Sequence, residues 1–326
     1  MPIRWGILAT GGIADSFCRD LAEVPDAEIA AVGSRSQSSA DRFASRHGAG
    51  RAHGSYAALL ADPGVDVVYV ATPHPFHEAN VLAALDAGKA VLCEKPLGVR
   101  AAESQRMVAA ARERGLFLME AMWMRCTPAV RRLRALVDEG RIGRLRNVRA
   151  DLGFALPADP GSRTQDPDLG ASTLLDIGVY PLTFATMLLG EPLELTGQAV
   201  LTERGIDDAA GLVLTYGSGA LATVTCAQNA ATDSTATVTG DRGRIEVAAP
   251  ITAPPLLRVV ADGGEPEVVA EPMIGVGMAH EAIEVQRCLR AGLTESPLVP
   301  LAETLLVARL LDRARQVCGV RLPGDG

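Results

Sequence analysis

Over its first 122 residues the chain alternates short apolar runs with amphipathic stretches, and a glycine turn joins the first pair. Residues 3–8 are mostly apolar, Thr10-Gly11-Gly12 follows, and residues 13–23 have helical spacing. Strands separated by helical stretches point to parallel pairing, because parallel neighbours need a long crossover and the crossover is usually a helix. The pattern predicts further strands at 28–32, 67–71, 90–93 and 116–119. Helices are expected around Ala40, Phe43 and Ala44, then over 76–87 and 101–113. The run 67–71 is apolar without a break, as suits a central strand covered on both faces. The expected fold class is α/β, with an N-terminal doubly wound parallel sheet of the Rossmann type.

The remainder of the chain has a different rhythm. After a helix near 128–139 come runs at 145–154, 193–201, 209–216, 220–227 and 234–239, separated by Gly or Asp turns. They predict an open, mostly antiparallel sheet in a C-terminal α/β domain. Residues 157–167 read as a loop and 250–266 as peripheral, and helices at 278–291 and 301–317 close the chain. At 326 residues two domains are expected. We place them at 1–122, for dinucleotide binding, and 123–326, for substrate binding and oligomerisation, with the closing helix 301–318 positioned to pack back on the first.

A net charge of −8 argues against nucleic acid as a partner, since phosphate binding needs clustered cations. The Arg-rich stretch that starts at Arg131 alternates with Val130, Leu133, Leu136 and Val137, the pattern of an amphipathic helix with a solvated Arg face. The six cysteines show no C-x-x-C and no metal-ligand spacing, so no metal site is expected and reduced thiols in a cytoplasmic protein fit best. No export signal and no membrane span is apparent.

The glycine turn carries the first functional signal. A helix starting directly after a parallel strand offers unpaired N–H groups to a pyrophosphate, and glycines allow close approach. In Gly6-Ile7-Leu8-Ala9-Thr10-Gly11-Gly12-Ile13-Ala14 the G-x-G-x-x-A pattern is degraded: Ala9 takes the first glycine's place while Gly11 and Ala14 hold the second and third. At the end of the second strand, where a carboxylate would hold the ribose 2′-hydroxyl of NAD, stands Ser34-Arg35-Ser36. A cation between hydroxyls suits the 2′-phosphate of NADP, so NADP(H) is expected in preference to NAD(H).

The second signal is a scarcity. Of 31 basic residues only Lys89 and Lys95 are lysine. An ammonium can be tuned to give and take a proton, whereas a guanidinium cannot. Lys95 lies in Cys93-Glu94-Lys95-Pro96, directly after a predicted strand.

That run resembles the signature of the Gfo/Idh/MocA oxidoreductases. Tyr69-Val70-Ala71-Thr72-Pro73-His74-Pro75-Phe76-His77, Glu120-Ala121-Met122-Trp123-Met124-Arg125 and Leu174-Leu175-Asp176-Ile177-Gly178-Val179-Tyr180-Pro181 are similar to further family motifs. Their order resembles the branch of dihydrodiol dehydrogenases and NADP-dependent D-xylose dehydrogenases. The resemblance implies hydride transfer between a nicotinamide and a secondary alcohol or hemiacetal of a sugar or trans-diol. It implies that Lys95 and Tyr180 handle the proton and that Asp176 orients a substrate hydroxyl, these three being the catalytic residues. Asp176 and Tyr180, four residues apart, share one face of a helix. Cofactor neighbours are expected at Thr10, Gly11, Gly12, Ile13, Ser34, Arg35, Ser36, Thr72, Pro73, His77, Glu94, Lys95, Trp123 and Arg125. Substrate is expected at Lys95, Trp123, Phe154, Asp176 and Tyr180, with a strand-core role as the alternative for Phe154. A homo-oligomer is expected, since an open sheet face leaves apolar surface to cover. The alternative function is a catalytically silent NADP(H)-binding sensor, motivated by Ala9.

Overall fold

In the computed structural model all residues are described except Ala158, Pro160 and Gly326; the predicted loop 157–167 thus lies partly outside the described residues. Six strands form a parallel sheet: β1 (Ile3–Leu8), β2 (Ala27–Gly33), β3 (Arg51–His53), β4 (Val67–Val70), β5 (Ala90–Glu94) and β6 (Leu118–Ala121), in the order β3-β2-β1-β4-β5-β6. This is the doubly wound order, which reverses between β1 and β4. All of β4 and β5 is buried, which explains their unbroken apolar sequence. The crossovers are α1 (Gly12–Leu21), α2 (Gln37–His47), α3 (Tyr56–Leu60), α4 (His77–Asp86) and α5 (Ala101–Arg114). The buried residues of α2 are Ala40, Phe43 and Ala44, the face its spacing predicts.

The chain divides into two compact units, Met1–Trp123 with Ile274–Thr304, and Met124–Met273 with Leu305–Gly326. The sequence places the whole of 123–326 in the second domain, whereas Ile274–Thr304 sits with the first unit. One carboxylate accounts for much of this. Asp20, buried on α1, accepts N–H bonds from Val276, Gly277 and Ala279 at 3.0, 3.0 and 3.1 Å, and so satisfies the N-terminal donors of α8 (Ala279–Arg290). Gly275, at φ +57°, passes so close to Asp20 that a Cβ would stand 2.2 Å from a carboxylate oxygen. The closing helix α9 (Leu301–Cys318) begins in this unit, where the Thr304 hydroxyl donates to Glu120 at 2.9 Å, and continues in the second.

The second unit holds α6 (Pro128–Asp138), with Ala129, Val130, Leu133 and Leu136 buried as its pattern predicts. Its sheet has eight strands: β7 (Leu145–Gly153), β8 (Glu194–Leu201), β9 (Asp207–Thr215), β10 (Leu221–Ala227), β11 (Ala236–Gly240), β12 (Gly243–Val247), β13 (Leu256–Ala261) and β14 (Glu267–Ala270), ordered β14-β13-β12-β11-β7-β10-β9-β8. It is antiparallel except where β10 lies parallel to β7. One face packs against α7 (Val179–Leu189). The stretch 250–266 is less peripheral than its Gly/Pro content suggests: it contains β13, and Ile251, Leu257 and Val259 are at most 1% exposed. The segment Pro167–Leu189 has the length and apolarity to cross a membrane, yet 83% of its most apolar window is buried inside the protein. It is a core element.

Candidate functional site

Because every strand of the first sheet is parallel, the turns after β1, β2, β4, β5 and β6 emerge at one edge. That edge carries Thr10 to Ile13, Ser34 to Ser36, Thr72 and Pro73, Lys95, and Trp123. In open α/β sheets ligands bind at the carboxyl ends of the strands, where the strand order reverses.

At the first turn Ala9 adopts φ +91°, a conformation that suits glycine and strains a side chain. Its N–H donates to the Gly33 carbonyl at 3.0 Å, which ties the turn to the end of β2. Gly11 caps α1 without a side-chain hydrogen bond, Gly11, Gly12 and Ile13 are exposed, and a Cβ on either glycine would meet nothing within 4 Å. The N-terminus of α1 thus faces open space with its donors accessible, which fits a pyrophosphate. Across from it the Ser34 hydroxyl lies 3.4 Å from that of Thr10. Ser36 caps α2 by accepting the Ser39 N–H at 3.3 Å, and Arg35 between the two serines is exposed. These residues fit a dinucleotide.

Lys95 is half-buried in a loop fixed by three side chains. His77 bonds the Pro96 carbonyl at 2.9 Å, Glu120 accepts the Leu97 N–H at 3.0 Å, and Glu103 accepts the Val99 N–H at 2.9 Å. The other ring nitrogen of His77 bonds the Thr72 carbonyl at 2.8 Å, so this fully buried imidazole joins the loops after β4 and β5. Burial lowers its proton affinity against the pull of the backbone carbonyls around it. Thr72 is buried too and accepts from Asn80 at 3.2 Å. Glu94 is 5% exposed; it accepts the Tyr69 hydroxyl at 2.5 Å and the Lys95 backbone N–H at 3.1 Å. Three residues expected beside the cofactor, Thr72, His77 and Glu94, therefore have side chains engaged with the protein itself and shape the loops from beneath.

Below Glu94 the interior is acidic. Glu281 of α8 is fully buried, and neither carboxyl oxygen has a hydrogen-bond partner among the described residues. Burial, then the nearby Glu94 and Asp20 charges, push its proton affinity well up. The same burial, with Glu94 next, raises Tyr69.

Trp123 and Arg125 share the short helical turn Trp123–Cys126 after β6, the first half-buried and the second 5% exposed. In the second unit Phe154 lies one residue past β7 and is 44% exposed, so it is not a strand-core residue. Asp176 sits on a wide helical turn, Leu174–Gly178, of the π type that recurs at functional sites. Tyr180 follows it in α7, 8% exposed. Gly178 is needed here, because a Cβ would stand 2.9 Å from Cys226 Sγ on β10.

Two residues that sequence reasoning missed hold this turn. Asp207 Oδ2 accepts the Leu174 N–H at 2.6 Å and its carbonyl accepts the Thr173 hydroxyl at 2.5 Å. Burial, offset by hydrogen bonds from the Leu174 N–H and the Ser172 hydroxyl and reinforced by Asp176, pushes the Asp207 carboxyl up to about 6. Arg163, on the turn Arg163–Gln165, donates from Nη1 and Nη2 to Asp176 Oδ2 and Oδ1 at 3.0 and 2.8 Å. Among many arginines Arg163 had no sequence signal, and Asp207 read as a turn residue.

Comparison with known proteins follows the same division of the chain. Residues 3–122 match the model of the oxidoreductase family with NAD-binding Rossmann fold, and residues 130–246 match that of the GFO/IDH/MocA C-terminal domain. The chain belongs to the GFO/IDH/MocA oxidoreductases. Over 337 residues, 100% of this chain and 99% of the relative, it is 41% identical to trans-1,2-dihydrobenzene-1,2-diol dehydrogenase of Mus musculus. A 3-ketoreductase from Actinomadura kijaniata, solved with NADP and TDP-benzene, shares 30% identity and a TM-score of 0.86, with 98% of each chain covered. An aldose-aldose oxidoreductase from Caulobacter crescentus, solved with glycerol, shares 25% identity and a TM-score of 0.88 with the same coverage. This GFO/IDH/MocA protein is an NAD(P)-dependent oxidoreductase acting on CH–OH groups.

Proposed function

We propose that the protein oxidises a secondary alcohol or hemiacetal of a polyhydroxylated small molecule, an aldose or a trans-diol, using NADP in preference to NAD. The observation that carries this reading is the placement of Lys95, in a firmly held loop, at the sheet edge that also presents the open α1 N-terminus and Arg35. The printed names of the relatives, a diol dehydrogenase and an aldose oxidoreductase, support the substrate class.

The glycine turn and the α1 N-terminus would hold the cofactor's pyrophosphate, and Arg35 with Ser34 and Ser36 the 2′-phosphate. Once bound, the nicotinamide supplies the hydride acceptor, or the donor in the reverse direction. The work of this chain is the proton: Lys95 and Tyr180 handle the one that leaves the hydroxyl as the carbon is oxidised. Asp176 accepts a hydrogen bond from a substrate hydroxyl and fixes its orientation.

The buried thiols fit a cytoplasmic setting. The uncovered face of the second sheet carries Val200, Val213, Leu221 and Val268, each more than a third exposed, and we infer that a second copy covers it. Light scattering that gives a monomer at micromolar concentration would remove that part.

The test follows nicotinamide absorbance with NADP⁺ and NAD⁺ over aldoses, inositols and trans-diols. Turnover with NADP⁺ that Arg35→Ala weakens about tenfold in KM, while KM for NAD⁺ stays within about twofold, is the expected result for loss of a charge-assisted contact. Silence across the panel, or equal use of both cofactors, overturns it.

A further inference from the structure

The ion pair on the wide turn has chemistry beyond holding Asp176 still. Its two partners come from unlike places: Asp176 from a helical turn fixed by Asp207 and by the close approach of Gly178 to Cys226, Arg163 from a loop turn thirteen residues earlier. The side chains remain 35% and 12% exposed, for Arg163 and Asp176 respectively, so solutes reach the pair.

Taken together the pair presents two complementary faces. A carboxylate only accepts hydrogen bonds, and a guanidinium only donates them from a rigid planar fork. A lone hydroxyl both donates and accepts, but a single oxygen reaches both groups only at their junction. Two hydroxyls on adjacent carbons satisfy both, one donating to the carboxylate while its neighbour accepts from the guanidinium.

We propose that Arg163 is a specificity-determining residue, the donor half of a two-point grip in which Asp176 and Arg163 together read a vicinal diol. This rests on the reading that substrate meets Asp176. Because the aspartate is fixed and the arginine is carried on a loop, the acceptor sets the position and the donor adjusts to the relative configuration of the second hydroxyl. The grip thus admits cyclic diols and sugars alike and disfavours simple alcohols.

The experiment uses the full-length protein with NADP⁺ and two matched ligands, trans-1,2-cyclohexanediol and cyclohexanol. kcat/KM is measured for the diol, and the inhibition constant against the best substrate of the panel is measured for both, which requires no turnover of the mono-alcohol. Arg163→Met is expected to weaken the diol about 10- to 100-fold, the value of a charge-assisted bond, and to leave the mono-alcohol within about twofold. Arg163→Lys, which keeps the charge and loses the fork, is expected to recover only part of the loss. If Arg163→Met weakens both ligands by one common factor, Arg163 merely steadies Asp176 and the proposal fails while the Asp176 reading stands. If Asp176→Asn leaves both ligands unchanged, the reading itself fails and the proposal with it.

Discussion

The loop after β5 and the wide turn before α7 each present a functional side chain, and different contacts set the backbone of each. His77, Glu120 and Glu103 grip the backbone that follows Lys95 at Pro96, Leu97 and Val99. At the turn, Asp207 and Gly178 set the backbone, and Arg163 additionally grips the Asp176 carboxylate itself. A loop gripped at three backbone positions gives the side chain it carries a defined origin. A group that must only accept a hydrogen bond can be oriented at its own atoms.

The two lysines sharpen this contrast most. Lys89 spends its ammonium on the carbonyls of Asp62 and Val65 at 2.7 and 2.9 Å, a structural use. Lys95→Met is expected to lower kcat by about 10²- to 10⁴-fold, the usual loss for a general acid–base group, with little change in melting temperature. Lys89→Met is expected to do the reverse, leaving kcat within about twofold and costing about 1–3 kcal/mol in denaturant unfolding through the two carbonyl contacts it removes. Equal effects on kcat would break the contrast.

Asp207 tests the backbone half of the second arrangement. Its carboxyl is raised to about 6 by burial in the fold and returns to the ordinary range near 4 on unfolding. The folded state therefore binds the proton more tightly, and this stabilisation is complete below pH 4 and lost as pH rises through 6. Relative to Asp207→Asn, the wild type is expected to lose about 2 kcal/mol between pH 4 and pH 7. Urea titrations at both values read this directly, and a pH-independent difference would count against it.

The smallest effect is expected at Ala9. Its φ of +91° makes Ala9→Gly stabilising by about 1 kcal/mol, visible as a higher melting temperature and tighter NADP⁺ binding. Unchanged melting would show the turn to be unstrained.

How much of this the sequence discloses depends on how local the signal is. β4 and β5 are legible because burial on both faces demands an unbroken apolar run, and Lys95 because lysine is rare in this chain. β3 is hidden in Arg51-Ala52-His53, a three-residue edge with polar character. β13 is masked by flanking Gly and Pro, and the parallel pairing of β10 with β7 has no local mark at all. α7 lacks an amphipathic period because nine of its eleven residues are buried. Arg163 and Asp207 become meaningful only when residues far apart in the chain are brought to the same turn.

The segment Pro167–Leu189 also matters while the chain is being made. Of the strands it packs against, β7 precedes it in the sequence, while β9 and β10 begin only at Asp207 and Leu221. As the polypeptide leaves the ribosome, a stretch greasy enough for a bilayer emerges before much of the sheet that will shield it has been synthesised. At about 5–20 residues per second the gap lasts a few seconds, the interval in which this chain is most exposed to aggregation, to mistargeting and to capture by chaperones.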